Sequence, residues 1–68
     1  MKIIQGDDGK KYVEVDVENI YETKEAVLLS NGSIKEWFPK TVLEDWPEKG
    51  ESGTAMILFS WAMNKGFI

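Results

Sequence analysis

The sequence contains no cysteine, no histidine and no arginine. Without cysteine, the chain can form neither a disulfide nor a thiolate metal site. Without histidine, it lacks the commonest general base, the commonest zinc ligand and the base of a histidine-dependent triad. Without arginine, it cannot grip phosphate or guanine with a bidentate guanidinium. We therefore predict that the protein is not an enzyme and has no catalytic, metal-binding or cofactor-binding residues.

Positively charged residues are also few, because 12 acidic residues outnumber the 8 lysines and the net charge is −4. The lysines are scattered, apart from the neighbours Lys10 and Lys11. Proteins that bind nucleic acids normally concentrate lysine and arginine in one patch or stripe. We therefore predict no tight direct binding to nucleic acid, and a host or viral protein with a basic surface as partner.

Long apolar runs are missing too. No run approaches the roughly 18 residues that a membrane-spanning helix needs, and acidic residues follow the short apolar start of the chain. The lack of cysteine is typical of a reducing compartment. We expect a cytoplasmic monomer or dimer without membrane contact.

What the sequence has instead is a set of aromatic residues: three tryptophans, three phenylalanines and two tyrosines among 68 residues. A chain of this length buries only about 60% of the surface that its unfolded form exposes. Each large aromatic side chain can bury about 150 to 250 Å². One domain spanning residues 1–68 can therefore be stable without disulfides.

The first half of the chain has the pattern of β-hairpins. Residues 2–5 predict a short strand, residues 6–9 a turn, and residues 11–17 a strand whose apolar and polar residues alternate. We expect a bend at Glu18 and Asn19, and then one long strand over residues 20–30, in which a bulge around residues 22–25 stays an open alternative. The Asn31-Gly32 pair predicts a type I′ turn that leads into a return strand over residues 34–38.

The second half predicts shorter elements. Thr41 and Glu44 have the spacing of a capping box, which indicates a helical turn over residues 41–46. A charged loop over residues 48–53 precedes a strand over residues 54–58. We expect a helix over residues 60–65, with Ser60 as N-cap and Gly66 as the residue that ends it.

The pattern as a whole predicts a mainly β (α+β small) fold. We expect about five antiparallel strands in a twisted sheet or an SH3-like small barrel, with a short C-terminal helix. Alternation and apolar character predict the following core: Ile3, Val13, Val15, Val17, Ala26, Leu28, Leu43, Met56, Leu58 and Trp61.

The central segment resembles a module of small phage and prophage proteins. Residues 22–28 match E-T-x-x-A-x-L, and residues 37–41 match W-x-P-K-[ST] after a short turn. An acidic stretch follows at residues 43–45, although threonine replaces the usual serine at Thr41. The resemblance implies a compact β-barrel-like domain of viral or mobile-element origin. Proteins of this size and origin are often inhibitors of host defence, such as anti-CRISPR proteins, and this association is with origin rather than with a motif.

Three functions stay open on these grounds. The first is a non-enzymatic inhibitor that blocks a host defence complex by occlusion. The second is an accessory factor of phage recombination or replication that contacts nucleic acid or its binding proteins. The third is a small-molecule-binding barrel with Trp37 or Trp46 as a stacking platform.

The inhibitor hypothesis predicts a binding surface with an acidic and an aromatic part. The acidic part belongs to a wider set of strand residues, including Glu22 and Glu25, whose simpler interpretation is a solvated strand face. Adjacent strand residues point to opposite faces, so one of Trp37 and Phe38 is expected in the core and the other at the surface. The predicted partner-binding residues are Glu14, Asp16, Glu18, Trp37, Phe38 and Lys40.

Overall fold

The alternation that begins at Lys11 produces the longest strand of the molecule. The computed structural model describes residues 2–6 and 8–68, and six strands lie within them. They are β1 (Lys2–Gln5), β2 (Lys11–Glu22), β3 (Ala26–Ser30), β4 (Lys35–Pro39), β5 (Leu43–Asp45) and β6 (Ser52–Leu58). A 3-10 helix (Lys40–Val42) joins β4 to β5, and the helix α1 (Phe59–Asn64) follows β6.

All strand pairs are antiparallel and belong to one open sheet with the order β4-β3-β2-β6-β5, to which β1 is added beside β2. The predicted mainly β fold with a short C-terminal helix is confirmed. Of the two arrangements that the sequence left open, the structure has the sheet. Within the described residues, no helix is long and apolar enough to span a membrane.

Strand β2 holds the sheet together because it pairs with three others. On one edge, its first part pairs with β1 and its last part with β3. On the other edge, it pairs with β6 from Tyr12 to Glu18. The predicted bend at Glu18 and Asn19 is wrong, because β2 continues through both residues.

The predicted single strand over residues 20–30, with or without a bulge around residues 22–25, is wrong as well, because a turn at residues 23–25 separates β2 from β3. The Thr23 hydroxyl accepts a hydrogen bond from the Ala26 N–H (3.1 Å), and the Thr23 N–H donates to the Ala26 carbonyl (2.8 Å). These bonds replace strand pairing locally.

In the predicted first turn, Gly9 has φ +80 and its N–H donates to the Gly6 carbonyl. Asp7 of that turn lies outside the described residues.

A β-bulge in β2 decides which side chains reach the core. The register with β3 shifts between Asn19 and Tyr21, so that Ile20 is an extra residue on β2. Asn19 therefore shares the core-facing side, called here the inner face, with its partner Leu29. Tyr21 pairs with Leu28 and lies with it on the opposite, outer face.

The core lies between the inner face of the sheet, α1 and the end of the chain. Its buried members are Val13, Val17, Val27, Leu29, Phe38, Val42, Leu43, Ala55, Ile57, Ala62 and Phe67. The prediction is confirmed for Val13, Val17 and Leu43, and Val15, Leu58 and Trp61 pack against this core while partly exposed.

Four residues of the predicted core are misplaced. Ile3 is exposed, and Ala26, Leu28 and Met56 are only half-buried. Their sequence neighbours in β3 and β6 occupy the core instead, as Val27 and Leu29 show. An uninterrupted apolar run carries no alternation from which the inner face could be identified.

The Asn31-Gly32 turn forms where it was predicted, but it is not of type I′. That type needs positive φ at both central residues, and only Gly32 has it, at +96. The Asn31 side-chain oxygen instead accepts hydrogen bonds from the backbone N–H groups of Ser33 (2.9 Å) and Ile34 (3.0 Å). This side-chain bonding produces a wider loop over residues 31–34, between the paired residues Ser30 and Lys35.

The helical turn predicted over residues 41–46 is also wrong. Only the 3-10 helix forms there, without a side-chain cap, and β5 follows because Leu43 pairs with Ile57 of β6. Tertiary pairing thus overrides the local capping pattern formed by Thr41 and Glu44.

The C-terminal helix forms as predicted, although Leu58 rather than Ser60 is its N-cap. At its end Gly66 has φ +79 and donates to the Met63 carbonyl, while the Phe67 N–H donates to the Ala62 carbonyl (2.9 Å). This pair of bonds is a Schellman motif. It directs Phe67 into the core.

Candidate protein-binding surface

An acidic column, made of Glu14, Asp16 and Glu18, follows the outer face of β2. These residues are two apart, so their side chains share one face. Asp16 and Glu18 are exposed and Glu14 is half-buried. Among the described residues, none of the three forms an ion pair. The column is therefore a free negative charge that can attract a basic partner.

The acidic column ends at the bulge, because Glu22 does not continue it. Glu22 pairs with Val27, which is buried, and its carboxylate is occupied by neighbouring groups. It accepts hydrogen bonds from the Asn19 amide (3.0 Å) and the Trp46 indole (3.3 Å), and it forms an ion pair with Lys40 (2.7 Å). The bond from Lys40, followed by that from Asn19, lowers the pKa of Glu22 below its ordinary value of 4.5. Glu22 is thus a structural residue.

The structure of β4 shows which of Trp37 and Phe38 is buried in the core and which is exposed. Phe38 has no exposed surface, and its ring packs edge-on against Phe67 with the centroids 5.1 Å apart. Trp37 retains 44% of its surface. Phe38 is therefore corrected from a candidate partner-binding residue to a core residue, because a partner cannot reach a fully buried ring.

Trp37 belongs to an aromatic patch, defined here as Tyr21, Leu28 and Trp37. Leu28 of β3 lies between the other two, since it pairs with Tyr21 on one side and with Trp37 on the other. The rings of Tyr21 and Trp37 meet at 78° with centroids 6.3 Å apart, and Tyr21 is 48% exposed. The Lys49 ammonium lies 4.2 Å from the Tyr21 ring centroid. Sequence reasoning missed Tyr21, because only the bulge places it on the outer face.

The acidic column and the aromatic patch adjoin on the outer face. Glu18 pairs with Ser30, and Ser30 with Lys35. This row lies one step along β3 and β4 from the patch, because Ser30 and Lys35 are each two residues from Leu28 and Trp37 respectively. The sheet therefore joins both predicted parts of the binding surface, with Lys35 at the boundary.

Lys40 is separate from this surface. Its ammonium is held by Glu22 and lies 5.8 Å from the centroid of the Trp46 ring, which itself packs against the core. These contacts connect the end of β4 to the chain after β5. Lys40 therefore has a structural role, and the structure does not join it to the acidic column or the aromatic patch.

Two other features bear on the remaining functions. One cleft, of about 680 Å³, is lined by Phe67 but by no tryptophan, so it offers no indole platform for a small molecule. Within the described residues, no group of three acidic side chains is placed to hold a metal ion.

Burial and a hydrogen bond to Asp8 raise the pKa of Tyr12 to about 12, so this phenol stays neutral and structural.

Comparison with protein-family models, with curated proteins and with solved structures finds no match to this chain. The resemblance to phage and prophage proteins therefore stays a prediction.

Proposed function

We propose that this chain is a non-enzymatic protein-binding domain that docks a basic partner against the outer face of β2, β3 and β4. The observation that carries the proposal is the exposed pair Tyr21 and Trp37 beside the acidic column, whose carboxylates form no ion pair with the described part of the chain. Exposed aromatic residues of this size are enriched at the centres of interfaces.

The two parts of the surface have different tasks in binding. The acidic column raises the rate of encounter with a positively charged partner, and this effect weakens as salt rises. The aromatic patch supplies contact area after encounter. Because strand pairing holds the backbones of Tyr21 and Trp37 in place, little freedom is lost when a partner covers them.

In its most concrete form, the proposal is an inhibitor encoded by a phage or prophage that blocks a host defence complex by occlusion, as anti-CRISPR proteins do. Such complexes handle nucleic acid through basic grooves. A column of carboxylates competes for such a groove because it presents negative charge where phosphates would bind. The family resemblance and the acidic column support this form.

The test begins with capture of partners from a lysate of the natural host, followed by binding kinetics on the partner obtained. Trp37→Ala is expected to speed dissociation, at a cost of about 2 kcal/mol or more. Replacing Glu14 and Asp16 by lysine is expected to slow association and to reduce its dependence on salt.

Met63→Ala is the matched control, because Met63 is a large exposed apolar residue on α1. Circular dichroism establishes that each variant is folded. If the outer-face variants bind like the parent protein, or if Met63→Ala weakens binding more than Trp37→Ala, the active surface lies elsewhere. Submicromolar binding to DNA that weakens steeply with salt would favour the accessory factor of recombination or replication instead.

A further inference from the structure

The loop over residues 31–34 depends on two neighbouring residues for its conformation. Gly32 has φ +96, which glycine adopts without strain. The Asn31 side-chain oxygen accepts hydrogen bonds from the N–H groups of Ser33 (2.9 Å) and Ile34 (3.0 Å). Both Asn31 and Gly32 are exposed. The loop therefore holds a side-chain amide beside a backbone nitrogen that no side chain shields, and both are in contact with water.

These two neighbours can react with each other. The Gly32 nitrogen attacks the side-chain carbonyl carbon of Asn31, and a cyclic imide forms. The side-chain amide bond breaks, and its nitrogen leaves as ammonia together with the proton from the Gly32 nitrogen. Water then opens the imide at one of its two carbonyls. This hydrolysis leaves a carboxylate at position 31, and the chain continues through either the α or the β carbon of that residue.

The hydrogen bonds of the loop favour this ring closure. As the nitrogen attacks, negative charge develops on the Asn31 side-chain oxygen. The N–H groups of Ser33 and Ile34 already point at this oxygen, so they stabilise the charge without rearrangement. The Gly32 N–H donates to the Ser30 hydroxyl (3.2 Å), which gives its proton a first acceptor on the way to water.

A carboxylate at position 31 would lie beside the acidic column. Asn31 directly follows Ser30, which pairs with Glu18. Asp16, Glu18 and Asn31 line one hollow of about 240 Å³. The loop also accommodates the product that keeps the α linkage, because its carboxylate can accept the same two N–H bonds, and charged acceptors form stronger hydrogen bonds.

We propose that Asn31 is a modification site, where attack by the Gly32 nitrogen and hydrolysis by water convert the side-chain amide to a carboxylate that extends the acidic column. Water is the only co-reactant, so the conversion needs no enzyme. Its chemistry is independent of the proposed function, whereas its effect on a partner rests on that function.

The other two asparagines of the chain are internal controls. Asn19 is fully buried, and its amide nitrogen donates to the Pro47 carbonyl (2.8 Å). Asn64 is the last residue of α1, and the nitrogen that would attack its side chain, that of Lys65, donates to the Trp61 carbonyl (3.0 Å). Neither asparagine is followed by glycine. Both are therefore expected to keep their amides longer than Asn31.

The first test is incubation of the folded protein in mildly alkaline buffer, followed by peptide mapping with mass spectrometry and a methyltransferase assay that labels isoaspartate. We expect conversion at Asn31 to be about tenfold or more faster than at Asn19 or Asn64, because the fold keeps the latter two from the attack geometry. Isoaspartate is expected among the products at position 31. Equal conversion at the three positions, or a product without isoaspartate, would overturn the proposal.

The same incubation in urea shows whether the folded loop contributes. Conversion at Asn31 is expected to be as fast in the folded protein as in the unfolded chain, or faster by up to about tenfold, because the two N–H donors are already in place. Slower conversion in the folded protein would show that the loop protects Asn31, and would overturn the proposal.

Gly32→Ala tests the attacking nitrogen. The added methyl group meets no atom within 4 Å, but it crowds the nitrogen beside it. Conversion at Asn31 is expected to slow about tenfold in this variant. Circular dichroism establishes that the variant is folded. An unchanged rate would show that water attacks the side chain directly, which contradicts the proposal.

Asn31→Asp separates this inference from the proposed function, because it carries the product's charge from the start. At low salt it is expected to associate with the captured basic partner about twofold to threefold faster than the parent protein. If mapping finds no carboxylate at position 31 although Asn31→Asp speeds association, only the modification site falls. If mapping finds the carboxylate although Asn31→Asp leaves association unchanged, the acidic column does not attract the partner. In that case the proposed function falls and the modification site stands.

Discussion

The inner and outer faces of β2, β3 and β4 both carry large apolar and aromatic side chains, but those of the inner face are buried and those of the outer face are partly exposed. On the inner face, Val27, Leu29 and Phe38 have no exposed surface. On the outer face, Tyr21 and Trp37 keep nearly half of theirs. Since neighbouring residues of one strand supply both faces, the same short segments build the core and the candidate binding surface. Stability and binding are therefore expected to respond to different substitutions at adjacent positions.

The sharpest contrast is between Phe38→Ala and Trp37→Ala. Phe38→Ala removes a fully buried ring that packs on Phe67 and is expected to cost about 3 to 5 kcal/mol of unfolding free energy. Trp37→Ala is expected to cost less than about 1 kcal/mol, because nearly half of the Trp37 surface is already exposed in the folded protein. Urea unfolding measures both. Equal losses at the two positions would contradict the assignment of faces.

The next largest loss of unfolding free energy is expected at the polar residue of the inner face, Asn19. Asn19 is fully buried, and its amide nitrogen donates to the Pro47 carbonyl (2.8 Å) as well as to Glu22. Asn19→Ala removes the donor to the Pro47 carbonyl and one of the bonds to Glu22, and it is expected to cost about 1 to 3 kcal/mol of unfolding free energy in the same measurement.

Asn19→Asp provides the control, because it preserves the shape of the side chain but cannot donate in its ionised form. We expect it to be at least as destabilising at neutral pH as Asn19→Ala. A neutral effect of Asn19→Asp would show that volume, rather than hydrogen bonding, explains the loss.

A substitution in the loop that joins β3 to β4 is expected to reduce the free energy of unfolding by a smaller amount. Gly32 has φ +96, and no atom lies within 4 Å of the position that a Cβ would take. Gly32→Val therefore suffers from backbone strain alone, at about 1 to 2 kcal/mol in thermal or urea unfolding.

Gly53→Ala is the comparison for that loop, because Gly53 has an ordinary φ and its Cβ would lie 3.4 Å from Pro47. It is expected to be less destabilising than Gly32→Val. The reverse order would contradict the assigned loop conformation.

The smallest expected effect is a pH dependence that separates two carboxylates of β2. The pKa of Glu22 is lowered in the folded protein, so its contribution to stability is complete above its unfolded value of 4.5. That contribution is lost as pH falls below 4.5 and through the folded pKa. Glu22→Gln is expected to lower the melting temperature at pH 7 and to flatten its fall below pH 4.5. Glu18→Gln removes a carboxylate that forms no ion pair within the described residues, so it is expected to leave the melting temperature at pH 7 close to that of the parent. Equal melting temperatures of the two variants at pH 7, or an unflattened profile of Glu22→Gln, would contradict the assigned role of Glu22.

Local sequence patterns predicted the parts of the fold that depend on local physics. Alternation placed Val13 and Val17 correctly, and Gly66 ends α1 because a left-handed residue completes its Schellman motif. The apolar run of β3 has no alternation that would show which of its side chains face the core. Those side chains are determined by the register in which β3 pairs with β2. Pro47, far from Asn19 in sequence, accepts the hydrogen bond that lets a polar amide be buried.

The candidate surface was predictable to a similar extent. Periodicity alone placed the acidic column on one face of β2. The sequence also showed that Trp37 and Phe38 must face opposite sides, but not which of them is buried, because both are large and aromatic. The bulge at Ile20, which brings Tyr21 beside Trp37, has no signature in the sequence.

The pairing of β2 with β6 has a consequence for the order of folding. The strands β2, β3 and β4 are consecutive and joined by short turns, so they can form early at little cost in chain entropy. Strand β6 lies beside β2 although β3, β4 and β5 separate the two in sequence, so Val13 can meet Ile57 only after the chain has passed from β4 to the opposite side of the sheet. Such distant contacts slow folding. We expect substitutions at Ile57 to act mainly on the unfolding rate, and those at Leu29 on the folding rate.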